Sequence, residues 1–275
     1  MTVPNARSVT VTIDGIATHY WDAGEGPPIV LLHAGGFGEH AEHSFGGNIG
    51  AITAAGYRVL APDWLGFGGT DKVYDFANPH GRRLAHMARW FETVGITDVP
   101  VVGLSMGATY LLDAVARERP LFPATKVVLI SGGGFAAPNE ARLVLMGYDG
   151  TFESMRAAIE VLFHDSKWAA DDEFVRGRHE SALATGAWEC LAAGGFRPPW
   201  LGPPTAPPAP ACEFVTVPAL LTAGQHDRLR EPGWAAKLAA GIAGCELTVF
   251  DCGHIPNIEC ADAWNDRVIE FLGQP

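Results

Sequence analysis

The feature of this sequence that most restricts its fold is a recurring alternation of short, mainly apolar runs with stretches of helical period. Residues 29–32, 57–61, 99–102, 126–130, 217–222 and 246–250 each read as a strand. Continuous apolar runs of this length imply burial on both faces, and so a layer of helices on each side of the sheet. Helical period appears between them, at 79–94 with Pro79 in a first-turn position, and at 106–118 with Ala108, Leu111, Leu112 and Val115 on one stripe. Residues 232–242 and 256–272 follow the same pattern. Strands alternating with helices predict an α/β fold with a mostly parallel, doubly wound sheet. The chain opens differently, since residues 8–13 and 16–21 alternate around Asp14-Gly15, a hairpin signal that predicts two antiparallel strands.

The alternation stops near Gly132 and resumes at residue 217. We therefore divide the chain into a core of residues 1–134 and 213–275 and an insertion of residues 135–212. Helical periodicity returns within the insertion at 151–163 and 171–186. Residues 198–210 are too rich in proline for either regular structure and predict a stiff polyproline-like connector. The length of 275 residues suits one α/β domain carrying such an insertion.

The pentapeptide Gly103-Leu104-Ser105-Met106-Gly107 stands directly after one buried strand and directly before a helix. A serine with glycines two residues either side arises by chance roughly 0.1 times in a chain of this composition, so the strand-turn-helix context carries the argument. A sharp turn there forces close approach of its flanks, which a Cβ would block, and it holds the hydroxyl at a helix N-terminus. Ser105 is thus the candidate nucleophile, with the Met106 backbone N–H as a donor to an oxyanion. His33-Ala34-Gly35-Gly36, after an earlier strand, predicts the second donor at Gly35, with His33 as a loop brace.

A serine nucleophile needs a base and a group to orient that base. Asp227 follows the strand 217–222 and His254 follows the strand 246–250, so Asp227 is the expected acid and His254 the expected base. His226 is the rival base and Asp251 the rival acid. Asp63 reads as a loop brace and Cys252 as packing. His40 and His43 with Glu39 and Glu42 match no metal-ligand spacing and read as a solvated loop and helix start. No metal and no cofactor is expected.

Elbow, HAGG loop and the segments APDWLGFGGTD, GQHD and CGHIPNIE together resemble the α/β-hydrolase superfamily over nearly the whole chain. The insertion, through Leu129-Ile130-Ser131-Gly132-Gly133-Gly134 and residues 162–166 and 171–181, is similar to the helical cap of the meta-cleavage product hydrolases. That resemblance implies an α/β-hydrolase fold with a helical cap, and cleavage of a carbon–carbon bond in a vinylogous diketone acid. It also implies that Arg178 binds the ketoacid portion of the substrate and that Gly36 lines its site. The chain departs from the family's pattern at Leu104 and Ser44, where asparagines are usual, and at Ile255, where tryptophan is usual. These three positions are expected to contact substrate and to make the site more apolar, which favours an ester or lactone as the alternative.

A net charge of -12 gives no footprint for nucleic acid or an anionic membrane, and no apolar run reaches the roughly 20 residues that span a bilayer. No signal-like segment opens the chain, and five cysteines without CxxC spacing suit a reducing compartment, so a cytoplasmic location is expected. The partners left are a small-molecule substrate and a second copy of the chain in a homodimer. A non-catalytic ligand binder on the same fold is the reading from another class; unlike an enzyme, it needs no activated serine.

Overall fold

A computed structural model describes residues 6–134, 136, 138–202 and 209–274. Its strands are β1 (Ala6–Ile13), β2 (Ile16–Ala23), β3 (Pro28–Leu32), β4 (Arg58–Pro62), β5 (Val99–Leu104), β6 (Ala124–Ile130), β7 (Ala219–Gly224) and β8 (Glu246–Phe250). They form one sheet in the order β1-β2-β4-β3-β5-β6-β7-β8. β1 and β2 pair antiparallel around Asp14-Gly15, and β2 meets β4 antiparallel; every later pairing is parallel.

The side-chain alternation of a strand separates the core into two clusters. Ile29, Leu31, Val102, Leu104 and Ile130 face one cluster, while Val30, Leu32, Val101 and Leu129 face the other. Helices α1 (Ala41–Ala54) and α11 (Ala261–Gly273) cover the first face; α2 (Pro79–Val94), α3 (Met106–Val115) and α9 (Trp234–Gly241) cover the second. Each fully buried Val, Leu or Ile contributes about 1.5 to 3 kcal/mol, so two covered faces supply most of the stability.

Helix α1 is expected only as a helix start near His43, because Gly46, Gly47 and Gly50 lie inside it, at about 1 kcal/mol each against helix formation. Burial of Phe45, Ile49 and Ile52 overrides that penalty. Between β6 and β7 the chain runs through α4 (Glu140–Met146), α5 (Phe152–Leu162), α6 (Lys167–Ala170), α7 (Asp172–Ala182) and α8 (Ala187–Ala192). The helix expected over 171–186 begins instead with the Asp171 carboxylate capping α7, where it accepts from the Glu173 and Phe174 N–H groups. The first face of the core runs on into this segment through Met155, Ile159 and Val175. Within the proline-rich stretch, Pro199–Leu201 forms one short 3₁₀ turn, and residues 203–208 of the expected connector lie outside the described residues. The closing helix expected over 256–272 is broken at Cys260 into α10 (Pro256–Glu259) and α11. The break leaves Glu259 turned back toward Gly253, His164 and Asp165.

Candidate active site

The strand order reverses between β3 and β5, because the chain builds outward from β3 toward β4 and from β5 toward β6. Loops leaving the carboxyl ends of those two strands diverge and open a crevice, the usual ligand position in such sheets. Ser105 sits at that point, with φ 52° and ψ −106°, a conformation costly for any residue with a side chain. The surrounding structure enforces it. The Ser105 N–H donates to the Ile130 carbonyl at 2.8 Å. A Cβ on Gly107 would lie 2.2 Å from the Leu32 carbonyl oxygen, and one on Gly103 would lie 2.6 Å from the Ala108 nitrogen. The elbow exists because two glycines let α3 back against β3 and let β5 turn into α3.

The other two expected members converge on this serine. His254 Nε2 lies 2.9 Å from Ser105 Oγ, and His254 Nδ1 lies 2.7 Å from Asp227 Oδ2. With Nδ1–H donated to the carboxylate, Nε2 is free to accept the serine proton. Both side chains are buried. The second carboxylate oxygen, Oδ1, accepts from the Leu229 N–H at 2.9 Å, which fixes the acid's rotamer. The rivals are elsewhere: His226 Nε2 pairs with Asp251 Oδ1 at 2.8 Å, and that carboxylate is 85% exposed. His254 is held from outside the sheet as well, since its backbone N–H donates to the Leu162 carbonyl at 2.7 Å. Gly253 permits that approach, a Cβ there lying 2.5 Å from the same oxygen.

Ser105 and His254 open onto a cavity of about 790 Å³. Gly35, Gly36 and Met106 line it together with the serine, so the residues that carry the two expected oxyanion donors adjoin the same cavity as Ser105. Met106 is the first residue of α3, so its N–H is one of the donors a helix leaves without an internal acceptor. A Cβ on Gly35 would lie 2.6 Å from Met106 Sδ, so glycine keeps the two segments in contact. Aromatic and aliphatic side chains complete the wall, Phe37, Tyr110, Tyr148, Trp188 and Leu191 among them. Arg83, Arg142 and Arg230 reach it too, and no motif marked them. Only the periodicity of α2 and α4 and the position of Arg230 three residues past Asp227 could have pointed there.

Four expected contact residues lie behind the wall. Leu104 and Ile255 are buried in the first core cluster, and Ser44 is buried beside the oxyanion loop, where it accepts from Ala34 N–H and donates to Glu39. Their departures from the family's pattern therefore do not make the cavity more apolar. Arg178 is 1% exposed; its Nε–H donates to the Phe37 carbonyl at 3.1 Å and its Nη1 pairs with Glu39 Oε1 at 2.7 Å. The arginine expected at the ketoacid instead ties α7 to the back of the Gly35–Gly38 loop. A Cβ on Gly38, at φ +77°, would lie 2.2 Å from the Arg178 carbonyl oxygen, so glycine is what lets α7 sit so close.

The solvated loop expected around Glu39 and His43 is likewise buried. Burial opposes the Glu39 charge, but Arg178, then His43 and a hydrogen bond from Ser44 outweigh it and hold the carboxyl well below its ordinary range. Burial pushes the His40 imidazole down to about 4, so it is neutral at physiological pH. His33 and Asp63 are braces. The His33 Nε2 accepts from Trp64 N–H at 2.9 Å, leaving Nδ1–H to donate to the Ala34 carbonyl. Asp63 accepts from the Ala41 and Gly69 N–H groups and pairs with His19. Among the described residues no group of three or more His, Cys, Asp or Glu could hold a metal ion, and no helix is long and apolar enough to cross a membrane.

A model of the Alpha/beta hydrolase family matches residues 29–267. The chain is 30% identical over 268 residues to the 2-hydroxy-6-oxo-6-phenylhexa-2,4-dienoate hydrolase of Comamonas testosteroni, covering 93% of this chain and 91% of that protein. It is 28% identical to the 2-hydroxymuconate semialdehyde hydrolase of Pseudomonas putida, covering 94% and 92%. A solved structure of the meta-cleavage product hydrolase from Pseudomonas fluorescens IP01 superposes with a TM-score of 0.83 at 26% identity, covering 96% of this chain and 97% of that one.

Proposed function

The chain belongs to the alpha/beta hydrolase family and is a hydrolytic enzyme, and from that premise we propose that it hydrolyses a carbon–carbon bond in a diketone-like acid by a Ser105–His254–Asp227 triad. The observation that carries this reading is the relay of 2.9 and 2.7 Å contacts at the wall of a cavity large enough for a substrate of ten to twenty heavy atoms. The relatives' names add a direction, since one acts on a phenylhexadienoate and another on a semialdehyde.

His254 takes the Ser105 proton as Oγ adds to the substrate carbonyl, and the Gly35 and Met106 amides receive the resulting oxyanion. Collapse of the adduct breaks the bond to the α-carbon, whose electron pair is accommodated as an enolate by the second carbonyl. The imidazolium returns its proton to that carbon. Water, deprotonated by His254, then releases the acyl group from Ser105 as a carboxylic acid. Asp227 keeps the imidazole in the required tautomer and stabilises its charged form throughout.

The same machinery hydrolyses esters and lactones, where the leaving group is an alkoxide rather than a carbanion, and this is the second reading. Purified protein assayed against a ring-fission dienoate, an aryl ester and a lactone separates the two. We expect the dienoate to be turned over fastest and Ser105→Ala to lose about 10⁴-fold or more in kcat. Undiminished turnover by Ser105→Ala would refute the triad, and a clear preference for the ester or lactone would install the second reading. Failure of Ser105 to react with a fluorophosphonate probe would indicate a ligand binder.

A further inference from the structure

The cavity is charged against the sign of the molecule. The chain carries 31 acidic and 19 Lys or Arg residues, yet three arginines, Arg83, Arg142 and Arg230, reach the cavity wall. Asp149 is the single carboxylate among the described lining residues, and its oxygen is engaged in its own turn by Thr151 and Ser154. Arg83 is accounted for by the protein: its Nε–H donates to the Leu65 carbonyl, and its guanidinium lies over the Phe67 and Tyr74 rings.

Arg142 is not, and Arg230 is engaged through only two of its three guanidinium nitrogens. Neither has a carboxylate within 4 Å among the described residues. Arg230 is held rigidly, stacked 4.3 Å over the Trp234 ring, with Nε–H and Nη2–H donated to the Ser131 and Gly133 carbonyls. That geometry fixes the guanidinium at the cavity wall and leaves Nη1 unspent. Burial depresses the Arg230 pKa to about 10, which Asp227 opposes and the like charge of Arg142 reinforces. Two like charges on one cavity wall, neither of them in an ion pair among the described residues, leave that wall suited to a bound anion.

We propose that Arg142 and Arg230 together bind the carboxylate of the substrate, in the place where the buried Arg178 cannot. The inference rests on the hydrolase reading above and deepens it, fixing the substrate as an anionic carbonyl compound whose acid group points toward α4 and the loop after Asp227. Arg142 has its whole planar fork free to donate to a carboxylate and Arg230 adds its Nη1–H groups, and charge-assisted bonds of this kind are about twice as strong as neutral ones.

Binding to Ser105→Ala tests this without turnover. Calorimetric titration with sorbate, a planar dienoate, and with sorbamide, its neutral isostere, should give at least about ten-fold tighter binding of the anion. Raising the NaCl concentration should narrow that ratio. Arg142→Gln and Arg230→Gln should each reduce it to within about two-fold, while Arg119→Gln, at an exposed cation outside the cavity lining, leaves it. Arg142 makes no side-chain hydrogen bond or ion pair among the described residues, so its variant should fold even if loss of the Arg230 braces does not permit the other. Equal binding of sorbate and sorbamide by the parent overturns the proposal. So does a preference that survives Arg142→Gln, or one lost on Arg119→Gln alone. Failure of the native enzyme to hydrolyse any substrate would instead overturn the catalytic reading.

Discussion

The Glu39–Arg178 pair offers a direct measure of what fastens α7 to the oxyanion loop. Both side chains are almost completely buried, 2% and 1% exposed, with charged atoms 2.7 Å apart. Removing one partner strands the other charge in a medium that solvates it poorly, which costs about 3 to 5 kcal/mol for a buried pair. Glu39→Gln keeps the acceptor for Ser44 but strands the guanidinium; Arg178→Met keeps the side-chain volume but strands the carboxylate. For a domain of this size, roughly 2 to 4 °C of Tm per kcal/mol translates either loss into a fall of about 6 to 20 °C. The double variant leaves no stranded charge, so it should be no less stable than the weaker single and recover about 2 kcal/mol or more relative to additivity. Urea unfolding followed by tryptophan fluorescence, fitted with a common m-value, gives the coupling energy. Additivity of the two losses within about 0.5 kcal/mol would show that the pair is not the fastening and would refute the reasoning. The sign with pH follows from the depressed Glu39 pKa. Its contribution is fully present above the ordinary carboxylate range and is lost as pH falls through that range and below it.

Two further outcomes are expected. Gly107→Ala should destabilise the enzyme by about 3 kcal/mol or more and largely abolish activity, because the added Cβ meets backbone of β3 that no side-chain rotation can move; native-like urea midpoint and activity would contradict that account of the elbow. His40 is neutral in the folded protein with a pKa near 4, against about 6.5 when exposed, so the unfolded chain binds more protons between those values and stability falls on acidification across that window. His40→Asn should flatten the slope of Tm between pH 6.5 and 5, and parallel slopes for both proteins would show that another group titrates there.

Ser105, His254 and Asp227 were legible because their chemistry demands fixed places in a strand-turn-helix frame, and apolar runs long enough to mark β3, β5, β7 and β8 gave those places. Strand order ranks Asp227 over Asp251, and in the structure the exposed Asp251 pairs with His226. What could not be read was the cavity wall. Leu104 and Ile255 adjoin Ser105 and His254 in sequence, but side chains one residue apart on an extended segment point to opposite faces; Ser44, nine residues after Gly35, sits on the first turn of α1 and is spent on Ala34 and Glu39. Arg178 shows the same limit on a helix, since position on α7 says that it faces the core without saying whether a ligand or Glu39 meets it there. Helix α1 is legible only at its start for another reason: three glycines mask the rest of a helix that buries Phe45, Ile49 and Ile52.

The hydrogen bond from His254 N–H to the Leu162 carbonyl bears on how substrate gets in. Glu259 reinforces that corner by accepting from the His164, Asp165 and Gly253 N–H groups, so the end of α5 and the loop bearing the base move as one piece. Swinging α5 and α7 outward would pull the imidazole off Ser105 and break the Arg178 tie, leaving each opening event to rebuild the relay before reaction. Traffic is better carried by the far rim, where α4 presents Leu143 and Met146 to solvent and the segment after α8 presents Phe196 and Trp200. Met146 and Phe196 line the cavity and take no part in the hydrogen bonds that hold His254, so a substitution that widens the cavity there need not disturb the imidazole.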